Sequence, residues 1–153
     1  MSDTMTSDSI TQTTHVRAPI DRVWRAISDH REFGEWFKVA LDQPFEAGKP
    51  STGHITHPGY EHVKWHAEVV AIEPPTRFAF RWHPYAIDPD VDYSREPTTL
   101  VEFTLREKDG GTDVEVVERG FDAIPAARRD EAFRMNSGGW EAQIKNIRAH
   151  AER

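Results

Sequence analysis

The chain contains no cysteine. Disulfides, thiolate nucleophiles and thiolate-bound metals are therefore excluded, and a cytoplasmic compartment is the default expectation. Long apolar runs are missing too. None approaches the roughly 20 residues that a membrane helix needs. Nor is there a basic excess: 19 Lys and Arg stand against 26 Asp and Glu, a net charge of −7. That balance argues against affinity built on phosphate neutralisation or on a basic membrane-facing patch, so neither nucleic acid nor membrane is expected as a partner. Residues 1–9 are rich in Ser, Thr and Asp, without the basic start and apolar stretch of a secretory signal, and are expected to be a disordered tail. No internal repeat, G-x-S-x-G nucleophile elbow or glycine-rich phosphate loop is present. What remains still suffices for a core. Of 153 residues 37 % are hydrophobic, with five Trp and eight Phe, and residues 10–153 read as a single domain.

Periodicity gives the order of elements. Residues 10–17 are rich in β-branched side chains and suit an opening strand. Asp21 is a plausible N-cap, with Pro19 an alternative first-turn residue, and Val23, Trp24 and Ile27 then recur at helical spacing as far as Asp29. Residues 30–37 predict a second short helix with Phe33, Trp36 and Phe37 on one face. Residues 39–41 and 52–56 are short strand candidates. Residues 63–72 alternate, with Val63, Trp65, Ala67, Val69 and Ala71 on one side. Phe78, Phe80 and Trp82 do the same, then Val101, Phe103 and Leu105, then Val114 and Val116. Asp109-Gly110-Gly111 predicts a hairpin turn in which both glycines tolerate positive φ. Such alternation means an antiparallel sheet with one apolar face. A long helix is predicted over residues 125–151, with Pro125 in its first turn, and it alone is large enough to cover that face.

The polar candidates are few. His54, His57, His62 and His66 fall close together, but no carboxylate completes a ligand spacing, so exposed sheet-face histidines are the expectation and no metal is implied. Asp88, Asp90 and Asp92 lack the glycine and closing Glu of a calcium loop. They lie in residues 83–97, an irregular stretch with Tyr85 and Tyr93 that has the length of a lid or binding loop. Glu118 continues the inward face of Val114 and Val116. It either reaches solvent at the rim, where Arg119 could pair with it, or lines a cavity as a polar contact. Gly138-Gly139 inside the last helix costs about 1 kcal/mol per glycine relative to Ala. The pair marks either a close approach to the sheet or a ligand, or a helix that starts later.

The aromatic set is the strongest signal. Trp36, Phe37, Trp65, Phe78, Phe80, Trp82, Phe103 and Trp140 converge on one face. They form either a dense core or the wall of an apolar pocket enclosed by a curved sheet and one crossing helix.

Residues 18–29 (APIDRVWRAISD), Trp36 with its neighbours Glu35 and Phe37, residues 69–82 (VVAIEPPTRFAFRW), 99–105 (TLVEFTL), 111–121 (GTDVEVVERGF) and Gly138-Gly139-Trp140 together resemble the START-like helix-grip superfamily, also called SRPBCC or birch-pollen-allergen-like. More narrowly they resemble the family homologous to the C-terminal domain of the activator of the heat-shock-protein-ninety ATPase. The resemblance implies an α+β helix-grip fold. In it a curved seven-stranded antiparallel sheet wraps around the long C-terminal helix, two short helices lie between strands 1 and 2, and a cavity separates sheet from helix. The expected function is non-catalytic binding of a small hydrophobic or aromatic molecule there, by Trp36, Phe37, Trp65, Phe80, Trp82, Phe103, Glu118, Met135 and Trp140. No cofactor is implied, and a homodimer is left open. One alternative is an enzyme of the cyclase/aromatase or hydrolase kind using Glu118 or a cavity histidine as general base, although no nucleophile–base pair can be assembled from the sequence. Another is a co-chaperone-like regulator of a heat-shock ATPase.

Overall fold

The computed structural model describes residues 8–153. The tail expected over residues 1–9 thus falls outside the described residues as far as position 7. Asp8 already takes part in the fold, its carboxylate accepting from the backbone N–H of Gly120 and Asp122.

Alternation along the strands builds one sheet. The elements run β1 (Ser9–Val16), α1 (Ile20–Ser28), α2 (His30–Phe37), β2 (Val39–Leu41), β3 (Pro50–Ile55), β4 (Lys64–Glu73), β5 (Arg77–Trp82), β6 (Thr99–Lys108), β7 (Gly111–Arg119), a 3-10 turn (Phe121–Ala123) and α3 (Ala126–Ala151). The strands lie in the order β1-β7-β6-β5-β4-β3-β2, antiparallel throughout. In β4 every second residue from Trp65 to Ala71 is buried, so one face of the strand is core and the other water. A register shift between Val69 and Ala71 marks a bulge against β5, the kind of irregularity that bends a sheet. The hairpin between β6 and β7 differs in detail from expectation. Asp109 and Gly110 carry the positive φ, while Gly111 is already paired with Lys108. Two central residues at φ > 0 match the right-handed twist of the strands.

Capping separates the short helices. Asp29 closes α1 and opens α2, its carboxylate accepting from the N–H of Arg31 and Glu32. At α1 itself the cap is Pro19, and Asp21 sits in the first turn, where its charge suits the helix dipole. The two helices are tied by the buried indole of Trp36, which donates to the carbonyl of Ala26 at 2.8 Å. Pro125 is likewise the cap of α3 rather than its first residue. Among the described residues no helix is long and apolar enough to cross a membrane.

α3 packs against the apolar face of the sheet, with Ala132, Trp140, Ile144, Ile147 and Ala151 buried and the Trp140 ring 5.8 Å from that of Phe103 on β6. It runs unbroken through Gly138 and Gly139, and a Cβ at either position would meet nothing within 4 Å. The pair therefore marks no close approach to the sheet.

Candidate functional site

Beside the buried stripe of α3 runs a second one. Asn136, Gly139, Ala142, Gln143 and Asn146 recur at three- and four-residue steps, so they share a helix face. Their side chains are small or carry amides. They border a cavity of about 650 Å³ between α3 and one end of the sheet. Its opposite wall is apolar, formed by Phe37 at the end of α2, Ile55 at the end of β3, Trp65 on β4 and Trp82 at the end of β5. Tyr85, Ile87 and Tyr93 cover it from the β5–β6 connection, and His57 and Tyr60 flank it from the β3–β4 connection, their rings 5.6 Å apart. Lys64 and His66 also border it, but they alternate with Trp65 and their side chains are exposed on the far face of β4. Among the described residues no Asp or Glu contributes to the lining.

The residues expected to meet a ligand separate into two layers. Phe37, Trp65, Trp82 and Met135 border the cavity. Trp36, Phe80, Phe103 and Trp140 form a packed layer behind them. Phe80 lies 5.5 Å from Trp65 and 5.3 Å from Trp82, and Phe103 lies 5.8 Å from Trp140 and 6.3 Å from Trp36 (ring centroids). Dense core and hollow are therefore neighbours in the same fold. Sequence reasoning passed over Ala142, Gln143 and Asn146, although a stripe of small and amide residues one step around the helix from the Trp140 stripe is a legible signal.

Glu118 sits where the two layers meet. It is fully buried, placed between Ile10 and Val101 of the adjoining strands. One carboxylate oxygen accepts from the Trp140 indole at 2.8 Å and the Asn136 amide at 2.9 Å. The other accepts from the Trp82 indole at 2.7 Å and the Thr99 hydroxyl. The carboxylate neither reaches the rim nor lines the cavity, and Arg119 pairs with Glu102 instead. A carboxylate has about four acceptor sites. Here four donors fill them, which leaves no lone pair to take a substrate proton.

The cover is strapped to α3 through Arg128. Its Nη1 donates to the carbonyl of Pro84 at 2.7 Å, its Nε donates to Glu96 at 2.8 Å, and its guanidinium lies 4.8 Å from the centre of the Tyr93 ring. Nη2 is 2.7 Å from the same Glu96 oxygen, within ion-pair range but outside hydrogen-bond geometry. The carboxylates of Asp88 and Asp92 accept from the backbone of Asp90 and Ser94, closing their own turns. Within the strap Tyr85 has a left-handed backbone, φ 51°, an uncommon state for a bulky side chain. Burial, with Glu131 nearby, pushes its phenol above the ordinary value. Among the described residues no group of three or more His, Asp or Glu is arranged to hold a metal.

A second concavity of about 450 Å³ lies at the other end of α3, by Gly34, Glu35, His150 and Arg153. Next to it Glu32 accepts from Arg22 at 2.7 Å and Arg25 at 2.8 Å, and pairs with His150 at 2.9 Å. Burial alone would raise the Glu32 carboxyl. The hydrogen bonds from His150, Arg22 and Arg25 outweigh it and lower the group from 4.5 to about 2. This cluster joins α1, α2 and α3 and is structural in character.

The profile of the family described as Activator of Hsp90 ATPase homolog 1-like protein matches residues 17–152. Among solved structures, DynU16, a protein in the dynemicin biosynthetic locus, is similar with a TM-score of 0.74 and 22 % identity, over 96 % of this chain and 48 % of its own. The chain thus spans about half of DynU16. Protein MLL2253 from Mesorhizobium loti has a TM-score of 0.72 and 19 % identity, over 93 % of this chain and 95 % of that one. CalU16 from Micromonospora echinospora has a TM-score of 0.63 and 22 % identity, over 92 % and 71 %. At these identities the likeness is one of fold. No curated protein matches the sequence.

Proposed function

The chain belongs to the Activator of Hsp90 ATPase homolog 1-like protein family, and from that premise we propose that it binds a small hydrophobic or aromatic molecule between the sheet and α3 without altering it chemically. The observation that carries this reading is the cavity of about 650 Å³ walled by Phe37, Ile55, Trp65 and Trp82, within the size range of small-molecule pockets. Burying roughly 250 Å² of apolar ligand surface at about 25 cal/mol per Å² yields some 6 kcal/mol before association costs, so micromolar affinity is expected.

Three further features support it. Among the described residues no carboxylate lines the cavity, which disfavours a cationic ligand. Among the described residues four large apolar side chains are exposed to solvent, and two of them, Tyr60 and Met135, border the cavity while Val70 and Val91 do not, so part of the exposed apolar surface belongs to the pocket. The biosynthetic locus of DynU16 is a setting in which a small-molecule binder has a use. Against the enzymatic alternative stands Glu118, whose oxygens are fully engaged.

A panel of neutral bicyclic and tricyclic aromatics, followed by thermal shift and Trp fluorescence, tests the proposal. At a hundredfold excess over Kd a ligand stabilises the fold by about 2.7 kcal/mol. Gly139→Leu, whose side chain would enter the open volume, is expected to abolish the response while the protein stays folded. If no compound moves either signal in the unaltered protein, the binding reading is wrong.

A further inference from the structure

Glu118 does not touch the cavity, yet it determines what one cavity residue shows to it. The Nδ2 of Asn136 donates to Glu118 at 2.9 Å. The oxygen it meets already accepts from Trp140 and the other from Trp82, and indoles are donors only. Asn136 must therefore turn its amide nitrogen toward the carboxylate. The usual ambiguity of amide orientation is resolved by the network itself. Its Oδ1 accepts from no described residue, is not among the fully buried unpaired atoms, and belongs to a residue bordering the cavity.

The other amides of the stripe differ. Gln143 is consumed, donating to the carbonyl of Phe37 and accepting from Asn146. Asn146 is exposed at the outer end of the stripe. Asn136 is half-buried beside the indoles of Trp82 and Trp140, where water competes least.

We infer that the Oδ1 of Asn136 is a fixed hydrogen-bond acceptor for the bound molecule, with Glu118 as its positioning residue, so that the cavity selects aromatics bearing a hydroxyl or N–H donor over equally shaped ones without it. This rests on the ligand-binding reading above and adds the chemical class. A single neutral hydrogen bond formed in a shielded site corresponds to roughly a fivefold preference.

The test compares 2-naphthol with 2-methylnaphthalene, which differ by OH against CH3 at similar size. Dissociation constants are measured by Trp fluorescence on the unaltered protein and on Asn136→Leu. Partitioning alone favours the methyl compound and offsets much of that preference, so the acceptor is read from the change in the ratio of the two constants between proteins. The expected result is that the affinity of 2-naphthol relative to 2-methylnaphthalene falls about fivefold from the unaltered protein to Asn136→Leu, with 2-methylnaphthalene still bound. Asn136→Ala, which favours the helix, repeats the measurement should the Leu variant fold poorly. The assignment is overturned if the ratio of the two affinities is unchanged in both Asn136 variants. Failure of both compounds to bind any of the proteins overturns the ligand-binding reading, and this assignment with it. Binding of both compounds with the same ratio in every protein overturns the assignment alone.

Discussion

Replacing Glu118 by Gln preserves shape and replaces one of the two acceptor oxygens by an NH2 donor. The new amide has two placements. Facing Trp82 and Thr99, its NH2 can be accepted by the Thr hydroxyl, but the Trp82 indole N–H loses its partner. Facing Trp140 and Asn136, it strands the indole of Trp140, which is 3 % exposed. The first placement is cheaper, because Trp82 borders the cavity and water there can replace the lost acceptor. One donor left unpaired costs about 1–3 kcal/mol, and the surviving bonds lose their charge assistance, so Glu118→Gln is expected to destabilise by about 2–3 kcal/mol. Glu118→Leu removes every acceptor and leaves the Thr99 hydroxyl and the Trp140 N–H buried without one. Its expected cost is about 3–5 kcal/mol. At about 2–4 °C per kcal/mol for a domain of this size, the Gln variant should melt roughly 4–12 °C lower, by circular dichroism or calorimetry. A general base facing a polar chamber predicts the opposite sign, since neutralising such a group usually relieves strain. A Gln variant that melts with or above the unaltered protein refutes the four-donor account.

Gly138→Ala and Gly139→Ala should each stabilise by about 1 kcal/mol in urea denaturation, because the added methyl meets no atom and the helix propensity improves; a loss of stability would mean that the helix is kinked or packed there. Nothing in the structure explains the glycine at 138, whereas at 139 its smallness leaves cavity volume. Arg128→Met should raise amide hydrogen exchange across residues 84–96 with little change at β6 and β7, since it frees Pro84, Tyr93 and Glu96 together; unchanged exchange there contradicts the strap. Glu32 links stability to pH. Its folded-state pKa is depressed to about 2 from 4.5, so its contribution is complete above about pH 4.5 and lost as pH falls toward 2. Full linkage would be about 3 kcal/mol, and screening of the partly exposed cluster lowers this to about 2 kcal/mol. Urea titrations should show the unaltered protein losing that much more than Glu32→Gln between pH 5 and pH 2, and parallel acid limbs contradict the linkage.

Alternation made the sheet legible. Trp65, Phe78, Phe80, Val101, Phe103, Val114 and Val116 all face inward as their spacing demands. The breakpoint at Asp29 between two short helices was legible as well, because a carboxylate capping one helix is also a reason for the preceding one to stop. Depth was not legible. Period two places Glu118 on the inner face, but whether an inner residue meets a cavity, a rim or a hydrogen-bond network depends on what the far-off Trp82, Thr99, Asn136 and Trp140 bring to it. The division of the aromatics was hidden for a related reason. Phe80 and Phe103 share a periodic face with Trp82, and only the position of each along the sheet decides which of them the hollow end reaches. The strap escaped because an ion pair between Arg128 and Glu96 has no local signature.

The five indole N–H groups of the chain report on the central claim separately, since Trp65 and Trp82 border the cavity and Trp24 on α1 does not. Titrating nitrogen-15-labelled protein with 2-methylnaphthalene and following these resonances should move Trp65 and Trp82 in a saturable way while Trp24 stays in place. Five unmoved signals up to the solubility limit, or a shift confined to Trp24, would contradict a ligand site between the sheet and α3.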